Sequence, residues 1–213
     1  MNNKTIFISV AAFIMIIFIA AVAMYKSQQP SAVADNLLGA LERVNAPTKG
    51  GKNAKVTIVE FFDPACGTCS QFYPLVNNLV KKYQGKVKVE MRYAPLHQGS
   101  EDVVKMLEAA HLQGQFWPAV ELLFANQQRW VEHHVSSPEN ALAGIKTLPL
   151  NQEQLEKDWQ SRKVAQVIKQ DILDGQALKV RATPQFFVNG KPLVVFGYQE
   201  LLDLVEAEVA AAY

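Results

Sequence analysis

Cysteine is scarce in this chain, with two in 213 residues. Both fall in the stretch Pro64-Ala65-Cys66-Gly67-Thr68-Cys69-Ser70-Gln71-Phe72-Tyr73-Pro74, three positions apart. An excess of either charge is also lacking. The 21 Lys and Arg residues against 20 Asp and Glu leave no field to draw nucleic acid or an anionic surface. Histidine occurs only at His97, His111 and the adjacent pair His133-His134. None is spaced as a ligand pair to match the cysteines, so a zinc site lacks the two further ligands it needs. Ser70 stands where haem attachment requires a histidine after the second cysteine. No segment repeats another, and the length suits one domain or little more.

One long apolar run is present. From Ile6 to Met24 the only polar residue is Ser9, enough length to span a hydrocarbon core. Lys4 precedes it and Lys26 follows, so flanking charge hardly orients it. A signal peptide has a shorter apolar core and then a small-residue cleavage site. Ala21-Val22-Ala23 lies inside the run, and Ala32-Val33-Ala34 lies well beyond it. Length therefore favours an uncleaved anchor. Residues 1–26 are expected to be a transmembrane anchor or a signal segment. Either delivers the rest of the chain across a membrane, where a disulfide persists. Residues 27–53 read as linker and lead-in. Asp35 can cap a short helix whose Leu37, Leu38 and Leu41 share a face, and residues 48–53 read as loop by composition.

The period then becomes two. Val56, Ile58, Glu60 and Phe62 fall on one strand face, and Thr57, Val59 and Phe61 on the other. Two apolar faces mark a central strand covered on both sides. Asp63-Pro64 ends it. A helix is expected from Cys66 to about Gln84, with Phe72, Leu75, Val76 and Val80 inward and Gly85 as its stop. Val87, Val89, Met91 and Tyr93 alternate as a second strand, which makes a right-handed crossover with a parallel pair. Residues 100–177 read as helical throughout. Ser137-Pro138-Glu139 starts one of those helices, and Ala165, Ile168 and Ile172 mark the last. Apolar runs flank Asn189-Gly190, a hairpin signal, and a closing helix runs from Tyr198 to Ala210. The order is that of one α/β domain, residues 54–213, with a helical insertion at about 100–177.

Cysteines at i and i+3 on a first helical turn face the same way, and their sulfurs can pair with little backbone movement. Gly67 and Thr68 form the active-site turn between them. At the helix start, free N–H groups and the dipole favour a negative Cys66, which makes it the nucleophile. Cys69, one turn deeper, is then the resolving thiol. A purely structural disulfide is disfavoured, because so short a loop removes little entropy from the unfolded chain. Glu60 points into an apolar layer, which is costly without work or a partner. It either exchanges protons with the buried sulfur or pairs with Lys88 or Arg92 on the next strand. His133-His134 with Trp130 either lines a substrate groove or is a surface turn. Phe116, Trp117 and Trp159 read as core of the helical block.

Glu60-Phe61-Phe62, then Cys66-Gly67-Thr68-Cys69, then Thr183-Pro184 opening a late strand resemble the thioredoxin superfamily. The long helical insertion resembles its DsbA-like branch. The resemblance implies a thioredoxin-like α/β fold with a central mixed sheet. It also implies a cis Pro184 facing a redox-active disulfide of Cys66 and Cys69, with Thr183 and Pro184 binding substrate. Pro74 matches the proline that kinks the active-site helix, and Glu60 the buried acid. The dipeptide Gly67-Thr68 is neither the Pro-His of DsbA nor the Gly-Pro of thioredoxin, so no histidine supports the Cys66 thiolate from there. Thr before the proline also occurs in disulfide isomerases, but residues 27–53 are too short for their dimerisation domain.

The resemblance implies a monomeric protein thiol-disulfide oxidoreductase, most simply a disulfide-forming oxidase. Its catalytic residues are Cys66, Cys69 and Glu60, and it needs no metal or other cofactor. Its partners are cysteine-bearing protein substrates and an integral-membrane redox protein, DsbB-like or DsbD-like. It sits in a bacterial inner membrane with its catalytic domain in the periplasm, or is released there if the leading segment is cleaved. The alternatives are a thiol reductase or isomerase, a thiolate module for copper or zinc, and a non-catalytic interaction domain.

Overall fold

A computed structural model describes residues 12–20, 24 and 32–213. The chain divides into two units, Met1–Ser31 and Ala32–Tyr213. In the first, residues 12–20 are helical, and the rest of the expected anchor lies largely outside the described residues. Among the described residues no helix is long and apolar enough to cross a membrane.

The second unit is built on a five-stranded sheet. Its strands are β1 (Thr48–Gly50), β2 (Val56–Phe62), β3 (Val87–Tyr93), β6 (Gln185–Val188) and β7 (Lys191–Pro192). They lie in the order β1-β3-β2-β6-β7. β2 is central, parallel to β3 and antiparallel to β6. All seven of its residues are buried, as an apolar strand with no polar face requires. Val56, Ile58 and Phe62 pack with α2 (Gly67–Lys82) and the helical block, while Val59 and Phe61 pack with Leu41, Val180 and Phe187. α2 buries Phe72, Val76, Leu79 and Val80, with Pro74 in its interior. Gly85 follows it in the left-handed region, φ 81°.

The expected loop at residues 48–53 is partly strand. Thr48–Gly50 pairs antiparallel with the open edge of β3. Its side chains alternate too weakly to announce a strand, and pairing to an existing edge decides it. Gly50 has φ 124°, and a Cβ there would lie 2.5 Å from the Val87 carbonyl oxygen. Before it, α1 (Leu38–Leu41) buries Leu41.

The helical block comprises α3 (Ser100–Leu112), α4 (Phe116–Ala125), α5 (Pro138–Ile145), α6 (Gln152–Trp159) and α7 (Arg162–Ala177), and α8 (Tyr198–Ala212) closes the chain. The block is not helical throughout. A small hairpin, β4 (Val131–Glu132) and β5 (Val135–Ser136), turns at His133 and His134, both with positive φ. Such a turn usually declares itself by Asn-Gly, which is missing here. Trp130 lies in the core rather than on a groove surface, its Nε1–H donating to the Leu123 carbonyl at 2.9 Å. α7 buries Val164, Ile168, Asp171, Asp174 and Gly175, while Ile172 is half-buried and Ala165 is exposed. Apolarity alone misplaced the buried stripe because Asp171 belongs to it, neutralised by Arg92 of β3 at 2.8 Å.

Candidate active site

β2 ends at Phe62, and the chain must turn sharply to start α2. Asp63 makes the turn. Its carboxylate accepts from the Ala65 N–H at 2.8 Å, and its carbonyl accepts from the Cys66 N–H at 3.0 Å. Cys66 is therefore the N-cap of α2 rather than its first residue, and Gly67 begins the helix. As a cap, the Cys66 sulfur accepts from the Cys69 N–H at 3.5 Å. Nothing about the turn requires glycine at Gly67. A Cβ there would meet only Gln127 Oε1, at 3.9 Å.

The thiols are free and chemically unlike. The hydrogen bond from the Cys69 side chain is the largest influence on Cys66 and lowers its pKa. Burial opposes this, while the Thr183 side chain and the N–H groups of Cys69 and Thr68 add to it, leaving the thiol at about 5. Cys69 is fully buried. Burial first, then its bond to Cys66 and the charges of Glu60 and Cys66, push it well above the ordinary thiol range. The Thr183 carbonyl accepts from the Cys66 sulfur at 3.2 Å, and the Thr183–Pro184 peptide is cis. The Thr183 carbonyl thus stands against Cys66, one residue before the cis Pro184.

Glu60 is 1% exposed, and neither carboxylate oxygen has a hydrogen-bond partner among the described residues. Burial and then the charge of Cys66 raise its pKa to about 8. The expected ion pair with Lys88 or Arg92 is not formed. Glu60 registers with Met91, whereas Arg92 registers with Phe61 and Lys88 with Thr57, so both basic side chains project from the other face. Lys88 pairs with Glu42 at 3.3 Å, and Arg92 with Asp171 and Asp174 at 2.8 and 2.6 Å.

Sequence reasoning passed over two contributors. Asp63 was read only as a strand end, although an Asp-Pro three residues before the nucleophile is a turn signal. Gln127, whose Nε2–H donates to the Pro64 carbonyl at 2.8 Å, comes from the helical block and carries no local signal. His133 and His134 lie on the hairpin turn and do not touch either cysteine. Among the described residues no group of three or more His, Cys, Asp or Glu side chains is arranged to hold a metal.

The fold recurs in known proteins. A thioredoxin-like oxidoreductase from Silicibacter pomeroyi DSS-3 is 26% identical, with a TM-score of 0.70 over 85% of this chain and 100% of that one. Wolbachia pipientis alpha-DsbA1 shares the fold at 19% identity, with a TM-score of 0.70 over 84% of this chain and 98% of that one. Among curated sequences, Na(+)/H(+) antiporter NhaA 3 of Salinispora tropica is 32% identical over 146 residues, which are 67% of this chain and 21% of that protein. The chain thus spans about a fifth of the length of the curated relatives it matches. The family profile described as Thioredoxin matches residues 42–207. The chain belongs to the thioredoxin family, and its fold is that of the DsbA-like thiol-disulfide oxidoreductases.

Proposed function

We propose that the protein is a thiol-disulfide oxidoreductase that forms disulfides in cysteine-bearing proteins outside the cytoplasmic membrane. The observation that carries this is the inequality of the two thiols, Cys66 at about 5 and Cys69 well above its ordinary range. Starting from the Cys66–Cys69 disulfide, a substrate thiolate attacks Cys66. The Cys69 sulfur leaves and takes a proton, which Glu60 holds at neutral pH. A second substrate thiolate attacks its partner in the mixed disulfide, and Cys66 departs as a stable thiolate. Two electrons pass from the substrate thiols to the cysteine pair, and a DsbB-like or DsbD-like membrane partner removes them. A low leaving-group pKa speeds the second step and favours the reduced form, which makes the disulfide oxidising. Gly67 and Thr68 form the active-site turn, and Thr183 and Pro184 orient an extended substrate.

In this reading residues 1–26 anchor or export the chain, 27–53 link and lead in, and 54–213 form the catalytic domain in a bacterial periplasm. The apolar run and the resemblance to a stretch of an antiporter support a site beside a membrane. The reduction potential tests the direction of electron flow. Residues 32–213 equilibrated with glutathione buffers are expected near about −120 mV, with strong oxidants. A value near about −270 mV overturns the oxidase reading in favour of a reductase.

A further inference from the structure

We propose that His97 is a positioning residue for Cys66, acting through the buried carboxylate of Asp63 and held by the ring of His134. The inference rests on Cys66 being the reacting thiol, as proposed above.

Asp63 is fully buried. One oxygen takes the Ala65 N–H. The other takes the N–H of Leu96 at 2.7 Å, the N–H of His97 at 2.9 Å and Nδ1 of His97 at 2.7 Å. With three backbone donors already on it the carboxylate is the acceptor, so Nδ1 carries the hydrogen. Asp63 therefore joins two loops, the turn that presents Cys66 and the segment after β3. A buried negative charge three residues before the nucleophile disfavours a thiolate unless donors draw that charge away. Among the described residues, the ring of His97 is the only side-chain donor to Asp63.

One face of that ring is covered. His134 stacks on His97 with centroids 5.6 Å apart and planes 20° apart. His133 and His134 have φ 49° and 64°, a left-handed backbone region that non-glycine residues adopt only rarely. The hairpin is strapped to the same segment, since the Ser136 N–H donates to the Gln98 carbonyl at 2.9 Å. Among the described residues, the titratable partners of His97 are Asp63 and His134.

The test follows the Cys66 thiolate of the reduced full chain against pH, by thiolate absorbance and alkylation rate, in His97→Ala, His97→Asn and His134→Asn. Asn offers an N–H in place of Nδ1. His97→Ala is expected to titrate about one pH unit higher than wild type. Its glutathione equilibrium should shift about tenfold toward the disulfide, about 30 mV more negative. His97→Asn should restore both values, and His134→Asn should fall between. The proposal is overturned if His97→Ala titrates with wild type, or if His97→Asn is displaced as far as His97→Ala. Should His97→Ala not fold, His134→Asn decides, and a wild-type titration there sinks the proposal. A wild-type chain that exchanges no disulfide with glutathione would defeat the oxidoreductase reading, while the thiolate titrations in the same samples would still decide this one.

Discussion

Glu60 is a carboxylic acid that burial keeps protonated near neutral pH. In the unfolded chain it ionises near about 4.5, and in the folded chain only near about 8. Between those values the folded state holds the extra proton, so this group's contribution to stability falls as pH rises, by up to about 4 kcal/mol from pH 5 to pH 8. Glu60→Gln removes that share. Denaturant midpoints at the two pH values should converge in the variant relative to wild type, and an unchanged pH slope would show that Glu60 is already ionised when folded. If Glu60 supplies the Cys69 proton as proposed, the same substitution should slow exchange by about 100-fold or more at neutral pH. The thiols carry a simpler expectation. At pH 7 iodoacetamide should label Cys66 at least about 100-fold faster than Cys69, read by peptide mass spectrometry, because only the thiolate reacts and Cys69 is both neutral and buried. Equal labelling would remove the basis for assigning nucleophile and resolving roles. At this scale the sequence was most legible where spacing does the work. The i, i+3 cysteines declare a shared face, and strand parity puts Glu60 inside. It was silent on Gln127 and on the bonds of Asp63 to Leu96 and His97, because those partners lie in other segments.

Among the elements, β3 and α7 are joined by charge rather than by apolar packing alone. Arg92 is fully buried, stacks 5.2 Å from the Phe61 ring centroid, and also donates to the carbonyls of Ala40 and Leu41. Arg43 donates to Asp174 through Nε and Nη2, at 2.8 and 2.7 Å. Two buried carboxylates, two arginines and the end of α1 thus form one network that ties the lead-in to the sheet. Replacing one partner leaves the others charged and dry, which costs about 3–5 kcal/mol. Arg92→Leu should lose that much in denaturant unfolding while Arg43→Leu, whose side chain is partly exposed, should lose much less. Equal losses would show that the network is not centred on Arg92. This pairing also explains why α7 resisted a reading by apolar period, since part of its inward stripe is acidic. The start of α5 was easier, because Ser137 caps it through its side-chain oxygen; Asn151 and Ser161 cap α6 and α7 in the same way, starts that were not read from the sequence. β1 and the β4–β5 hairpin were hidden because neither has apolar alternation, β1 being held by the edge of β3 and the hairpin by a His133-His134 turn with no Asn-Gly signal.

At the scale of the whole catalytic unit, the question is whether the helical block is a separate body or part of one core. The order of elements was readable from the sequence because periods of two and of 3.6 alternate cleanly there, but periodicity says nothing about whether two blocks share an interior. In the structure they do. Phe62 of β2 meets Phe116 and Phe124 of α4 edge-on, at 6.3 and 6.2 Å between centroids, and Tyr93 of β3 donates to Glu108 of α3 at 3.0 Å. One continuous buried cluster runs from Val56 through Cys69 to Ile145 and Val209. The three tryptophans, Trp117, Trp130 and Trp159, all lie in the helical block, whereas Cys69 lies on α2, in the cluster that packs on β2. They therefore report the two parts separately. If the core is shared, tryptophan fluorescence, far-ultraviolet circular dichroism and the exposure of Cys69 to alkylation should all change at one denaturant midpoint. A fluorescence midpoint well below that of Cys69 exposure would mean that the block opens first. Gln127 would then leave Pro64 while the cysteines still sat on a folded sheet, and the helical block would act as a removable cover over the site rather than as part of its frame.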